Sequence, residues 1–268
     1  MIPHQLLSHN RVTASNSPSN PTMLSAVLFP VVFYIQTKVE DSPEFKELAA
    51  ETAKDKPAVQ QAPLWQAIRQ HWRTILLGCG LLAATNSLFY ISIAGVLSYA
   101  TTSLDMNRND LLGISMLSCL ISVPVVAWAG WMSDRIGRRP LIIVGGLAIV
   151  LWAFPYFWLI NQASLPLFFV AVTVGSIFQS LTYGPIAAFI GELFAPNVRY
   201  SGVSLSYQLA AITVSGGTPF IMTALIAKTG TTTLVAVFVA LMGLITCASA
   251  WRLRETNPAT FGAYLELG

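Results

Sequence analysis

The property that most restricts how this chain can fold is the absence of charge over long stretches of it. From Leu111 to Ser133, and again from Pro140 to Gly191, no Asp, Glu, Lys or Arg occurs. A soluble fold has to turn polar faces to water, whereas about 20 apolar residues wound as a helix cross the roughly 30 Å of a bilayer's hydrocarbon. The two stretches are therefore read as membrane-spanning helices. Between them the chain runs Gly130-Trp131-Met132-Ser133-Asp134-Arg135-Ile136-Gly137-Arg138-Arg139-Pro140, a charged turn that must sit at a membrane surface.

Composition agrees: 54% of the 268 residues are hydrophobic and 10% charged, with mean hydropathy +0.61, which excludes the soluble globular class. The expected fold is an all-α integral membrane protein. Six segments are long enough to cross, about Thr74 to Thr101, Leu111 to Met132, Leu141 to Ile160, Leu165 to Phe189, Val203 to Ala227 and Thr231 to Trp251. Before them, residues 1–22 read as a disordered leader rich in Ser, Asn, Pro and Thr. Met23 to Ile35, with Pro30 in its middle, is short for a span, and residues 23–37 read either as a truncated or marginal helix or as an interfacial, signal-like segment. Residues 38–73 form a polar linker in which Ser42 to Leu48 and Leu64 to Trp72 suit short surface helices, residues 74–254 the bundle, and residues 255–268 a tail.

Several function classes fall away. Cys79, Cys119 and Cys247 lie far apart inside apolar runs and read as small fillers, while His4, His9 and His71 form no ligand spacing, so neither a disulfide framework nor a metal site is expected. No phosphate-cradling sequence occurs, which excludes nucleotide-driven work and leaves no cofactor to expect. The basic residues are scattered in short loops, so nucleic acid is not expected as a partner. The spans hold no nucleophile and base pair, and an enzyme is not expected.

Orientation follows from the positive residues, which stay on the cytoplasmic side of short loops. All but three of the 15 Lys and Arg residues (Arg11, Arg108 and Lys228) fall on one set of alternating loops. That set includes the turn at 130–140 and the C-terminus, both expected to be cytoplasmic. In the turn, Gly130 and Gly137 suit close helix approach and tight reversal, while Arg135, Arg138 and Arg139 suit anionic headgroups of membrane lipid. Asp134 has no use for lipid and is better explained as an acceptor for an Arg or for helix N-terminal amides, the alternative being a solvated turn.

The pattern Gly-x-x-x-Asp-Arg-x-Gly-Arg-Arg from Gly130 to Arg139 resembles the signature loop of the major facilitator superfamily of secondary transporters. Tyr183-Gly184-Pro185, Glu192-Leu193-Phe194, Val198-Arg199-Tyr200-Ser201-Gly202, Ser206-Tyr207-Gln208 and Lys38 to Phe45 are similar to its metabolite:proton symporter branch. Members of that branch carry shikimate, 2-oxoglutarate, citrate, proline and betaine. The resemblance covers residues 23–257 and implies the end of a sixth span, a central loop and spans seven to twelve: a six-helix C-terminal bundle preceded by a short, truncated helix. It further implies a bacterial inner membrane location, a small organic solute and a proton as partners, and substrate held between two halves. The first of those halves is expected to be missing here, to be replaced by a separate half or by a second copy of the chain.

On this resemblance Asp134, Glu192 and Arg199 are expected to form a charge cluster that latches helix ends in one access state, with ordinary loop solvation as the alternative. Polar residues inside the spans are candidate substrate contacts because lipid cannot satisfy them. Asn86 and Tyr90 are four apart and share a helix face, Gln179 and Tyr183 repeat the spacing, and Tyr207 adjoins Gln208. Each pair would line a cavity, bond a neighbouring helix or anchor at the interface. Gly145-Gly146 and Gly216-Gly217 with Pro219 suit close packing and a kink, and Trp152, Tyr156, Trp158 and Trp251 suit aromatic anchoring near span ends. No acid lies in the middle of a span, so a coupling proton would fall to Glu192 or to a residue of the missing half.

Overall fold

The computed structural model describes residues 63–196 and 198–256. Among them there is no strand, and six helical stretches are long and apolar enough to cross a membrane: residues 68–102, 108–136, 138–160, 165–192, 199–229 and 233–252. The first comprises α1 (Pro63–Leu81), α2 (Ala83–Tyr90), a π-helical segment (Ile91–Val96) and α3 (Leu97–Thr102). The second to fourth are α4 (Arg108–Ile136), α5 (Arg138–Ile160) and α6 (Leu165–Glu192). The fifth joins α7 (Arg199–Ala210) through a second π-helical segment (Ala211–Ser215) to α8 (Thr218–Thr229), and the sixth is α9 (Thr233–Arg252). The segments expected at 1–62, the marginal helix at 23–37 included, lie outside the described residues.

Local sequence explains where these helices start and stop. Asn107 caps α4 by accepting the Asn109 N–H at 2.9 Å. Gly230 ends α8 at φ +67, and Gly137 separates α4 from α5 at φ +103, a region that side chains with a Cβ avoid. The short surface helix expected at Leu64 to Trp72 is instead the start of α1, set off from the span by a kink at His71 (φ −122, ψ 20). Its ring stands edge-on to Phe194, 5.9 Å between centroids. At Gly216-Gly217 the fifth span is interrupted, because the π-helical turn before it has already shifted the hydrogen-bond register.

α6 is the spine: it packs along both α4 and α5, while α5 packs along α9 and α1 along α7. Without a hydrophobic drive between helices in lipid, small residues and hydroxyls do the joining. A Cβ placed on Gly184 of α6 would stand 2.8 Å from the Val126 carbonyl oxygen and 2.9 Å from the Gly130 nitrogen of α4, so the two backbones are in direct contact there. Ser118 and Thr173 join the same helices at 2.8 Å, and Thr85 with Thr182 ties the first span to the fourth at 2.8 Å. Trp152 and Tyr156 are not interfacial anchors. Trp152 donates to the Ala171 carbonyl at 3.3 Å, and Tyr156 is buried with its hydroxyl 2.8 Å from Ser92, since a ring facing a neighbouring helix must place its polar end there. Burial is uneven: 56% of the first span's most apolar stretch is buried against 11% of α4's, which leaves α4 with its apolar side uncovered.

Because backbone atoms cannot yield as a flexible side chain can, Gly184→Ala is expected to destabilise the bundle by about 1–3 kcal/mol. Thermal melting of purified protein followed by size-exclusion chromatography measures it. Gly113→Ala, where an added Cβ meets nothing, is the control, and equal melting of the two variants would refute the close crossing.

Candidate functional site

Two constellations stand out, one at the end of the bundle that carries the charged turn and one between the spans. At the turn, the end of α4, the start of α5, the end of α6 and the end of α9 converge. The guanidinium joining them belongs to Arg138, whose side chain is only 10% exposed. Its Nη1 lies 2.6 Å from Asp134 Oδ1 and donates to Ser133 Oγ at 2.8 Å, while Nη2 donates to Glu192 Oε1 at 3.0 Å. Arg138 is thus withdrawn from the lipid headgroups it was expected to meet, because two carboxylates and a hydroxyl satisfy its fork.

Glu255 completes the arrangement. Its carboxylate accepts the backbone N–H groups of Arg138 at 2.8 Å and Arg139 at 3.1 Å, the first free amides of α5, where the helix dipole favours an anion. A Cβ on Gly137 would come within 3.1 Å of that carboxylate, so this glycine serves both the reversal and the room for Glu255. The Thr256 hydroxyl donates to Glu192 Oε2. Arg199, expected in the cluster with Asp134 and Glu192, opens α7 and is half-buried. Arg135 stacks over Trp131 at 4.0 Å and Arg139 over Trp251 at 5.4 Å. Trp158 and Trp251 are exposed on the bundle's outside.

Between the first, second, fourth and fifth spans lies a cavity of about 580 Å³, the size range of small-molecule sites. All six polar residues singled out in the spans, Asn86, Tyr90, Gln179, Tyr183, Tyr207 and Gln208, line it. Phe89 adds a ring edge-on to Tyr90, 5.4 Å between centroids. Cys119, expected as an apolar filler, is exposed and lines the cavity as well. None of the lining residues is Asp, Glu, Lys, Arg or His, and no cluster of metal-ligating side chains occurs among the described residues.

The lining divides into two kinds of polar group. Most of its hydroxyls are turned inward: Ser115 donates to the Leu111 carbonyl, Ser122 to that of Cys119 and Ser180 to that of Ser176, while Ser92 and Thr85 are taken by Tyr156 and Thr182. The three amide side chains and three phenols have no hydrogen-bond partner among the described residues. They are the groups left to meet a polar molecule, with amide N–H and C=O and phenolic O–H on offer.

The residues that sequence reasoning missed are Glu255, Thr256, Phe89 and Cys119. An acid closely following the basic end of a last span, as Glu255 follows Arg252 and Arg254, is the one trace of the first of these. Nothing in the local pattern marks the others.

Comparison with known proteins identifies the family. The model of the sugar (and other) transporter family matches residues 31–264. Among curated relatives, the inner membrane metabolite transport protein YhjE of Escherichia coli is 32% identical over 206 residues, 75% of this chain and 46% of the relative. The shikimate transporter of the same organism is 28% identical, with 89% of this chain and 54% of the relative covered. The proline/betaine transporter of Salmonella typhimurium is 26% identical, with 88% and 48% covered. The chain spans about half the length of the curated relatives it matches. This is a multi-pass membrane protein, and it belongs to the sugar (and other) transporter family of the major facilitator superfamily.

Proposed function

We propose that the chain is the C-terminal half of a proton-coupled carrier of a small organic solute, a carboxylate or a zwitterion, working by alternating access in a bacterial inner membrane with the turn and the C-terminus cytoplasmic. The observation that carries the reading is the cavity whose six uncommitted amide and phenol groups come from three different spans. Its uncharged wall favours a solute whose charges balance internally. A net carboxylate would take its countercharge from groups outside this wall, such as a second half facing it. The names of relatives that transport shikimate and proline or betaine support both solute types.

The Arg138 network is the latch in this reading. It draws four helix ends together at the side from which the cavity must close, and it breaks as a unit when those ends separate. The coupling proton falls to Glu192 or to a residue of the other half, because the cavity lining holds no carboxylate.

Uptake of radiolabelled shikimate, proline and glycine betaine into proteoliposomes holding the purified chain, with an inward proton gradient, tests the reading. Uptake abolished by a protonophore is the expected result. No uptake of any solute by this chain, alone or mixed with the N-terminal half of a relative, would leave the rival reading: a transport-inactive membrane fragment acting at most as an assembly partner.

Arg138→Gln leaves the half-exposed Asp134 and the partly buried Glu192 without their shared cation and is expected to cost about 1.5–3 kcal/mol of stability. Glu255→Ala, which frees the first amides of α5, is expected to cost about 1 kcal/mol. Melting midpoints of both variants check the order, and a Glu255→Ala loss as large as that of Arg138→Gln would mean that the tail rather than the guanidinium holds the helix ends. Asp134→Asn keeps the fold and is expected to change the uptake rate and the access of a cytoplasmic-side thiol probe. Unchanged values of both would remove the latch.

A further inference from the structure

The first span is broken at Leu82 with no proline near it. Leu82 lies between α1 and α2, and its N–H reaches back only to the Cys79 carbonyl, at 3.1 Å. A hydroxyl from a different span occupies the break. Thr246 of α9 is fully buried. Its Oγ1 accepts the Ala84 N–H at 3.0 Å and donates to the Gly80 carbonyl at 3.0 Å, with the Leu81 carbonyl at 3.3 Å. In an uninterrupted helix the Ala84 N–H would bond the Gly80 carbonyl directly. Here one hydroxyl stands between donor and acceptor and satisfies both.

A side chain inserted into the helical ladder is one of the few physical causes of a sharp bend. It gives the Ala84 N–H and the Gly80 carbonyl a partner each, groups that an apolar environment would otherwise penalise by several kcal/mol. Both sides of the break keep α9 as a neighbour, but α1 packs along α7 whereas α2 packs along α6. Leu76, Cys79 and Gly80 of α1, with Ala83 just past the break, line a separate crevice of about 280 Å³ shared with α9 and the fifth span. A Cβ on Gly80 would collide with the Ser249 side chain, so α1 rests directly on α9 one turn from Thr246. Above the break, α2 carries Asn86, Phe89 and Tyr90 to the large cavity.

We propose that Thr246 is a positioning residue for the cavity: its hydroxyl holds the first span open at Leu82 and thereby sets the direction in which α2 presents Asn86 and Tyr90. The role in recognition rests on the cavity receiving the solute, whereas the pivot itself does not. Thr246 touches no cavity group and acts through the backbone of another span. Thr246→Val has nearly the same shape without the hydroxyl, leaving the Ala84 N–H and Gly80 carbonyl with only each other, which favours closing the ladder and straightening the span. Thr246→Ser keeps the inserted oxygen.

The test uses the full chain in lipid nanodiscs with spin labels at Leu76→Cys and Ala94→Cys and the native cysteines replaced by alanine. With Thr246→Val the distance between labels is expected to lengthen toward the roughly 27 Å that an uninterrupted helix gives over that separation, and with Thr246→Ser to match the chain carrying Thr246. An unchanged distance in Thr246→Val overturns the pivot. In parallel, solute uptake by the cysteine-containing chain reads the positioning. The half-saturating solute concentration is expected to rise at least about tenfold in Thr246→Val, within the ~100-fold that a misplacement of about 1 Å can cost, and to return in Thr246→Ser. A shifted distance with unchanged half-saturation overturns the positioning role. Failure of the chain carrying Thr246 to take up any solute overturns the transport reading instead, and the label distance then still decides the pivot.

Discussion

Hydrocarbon offers no hydrogen-bond partner, and each feature of this bundle answers to that constraint. The spans are helices because only a helix satisfies its own backbone. Their serines and threonines donate back to carbonyls of the preceding turn or pair across helices, as Ser118 does with Thr173. Where the ladder does open, at Leu82, a hydroxyl from another span fills the gap. The same constraint expels charge from the cavity wall and gathers it at the helix ends, where Arg138 pairs with Asp134 and Glu192 and Glu255 meets the first amides of α5.

The two constellations therefore divide the work by polarity. At the helix ends, ion pairs and a carboxylate on free amides join four elements in one arrangement; in the proposed latch they come apart together, which is what a two-position device requires. Inside, uncommitted amides and phenols offer many weak contacts that a small molecule can exchange for its water. The irregular segment of the fifth span, Ala211–Ser215, borders this cavity, whereas the break at Leu82 is buried and takes the Thr246 hydroxyl of α9. Irregular backbone thus occurs where a polar space or a hydroxyl from another span meets it instead of lipid.

Much of this was legible in the residues themselves. Uncharged runs of the right length marked the six spans, and the four-residue spacing of Asn86 with Tyr90 and of Gln179 with Tyr183 placed each pair on one helix face. Gly137 declared its reversal because few other residues adopt its φ. Other features were hidden for a common reason, that they depend on distant partners. Arg138 reads like Arg135 and Arg139 in a basic turn, yet it alone faces two carboxylates from α4 and α6. Trp152 and Tyr156 read like interfacial aromatics, and only the packing of α5 against α6 and the first span turns their polar ends inward.

By itself the sequence determined what is local: helical spans, their number among the described residues, the confinement of charge to their ends and the faces on which polar residues lie. These follow from hydropathy and from a fixed helical pitch. Tertiary structure decided which faces meet. It made Arg138 a shared cation of Asp134 and Glu192, brought Glu255 back from beyond the last span to cap α5, and set Thr246 into the ladder of a helix more than 150 residues earlier. The reason is geometric: a hydrogen bond or ion pair needs both partners within about 3 Å, and separation along the chain does not encode that distance.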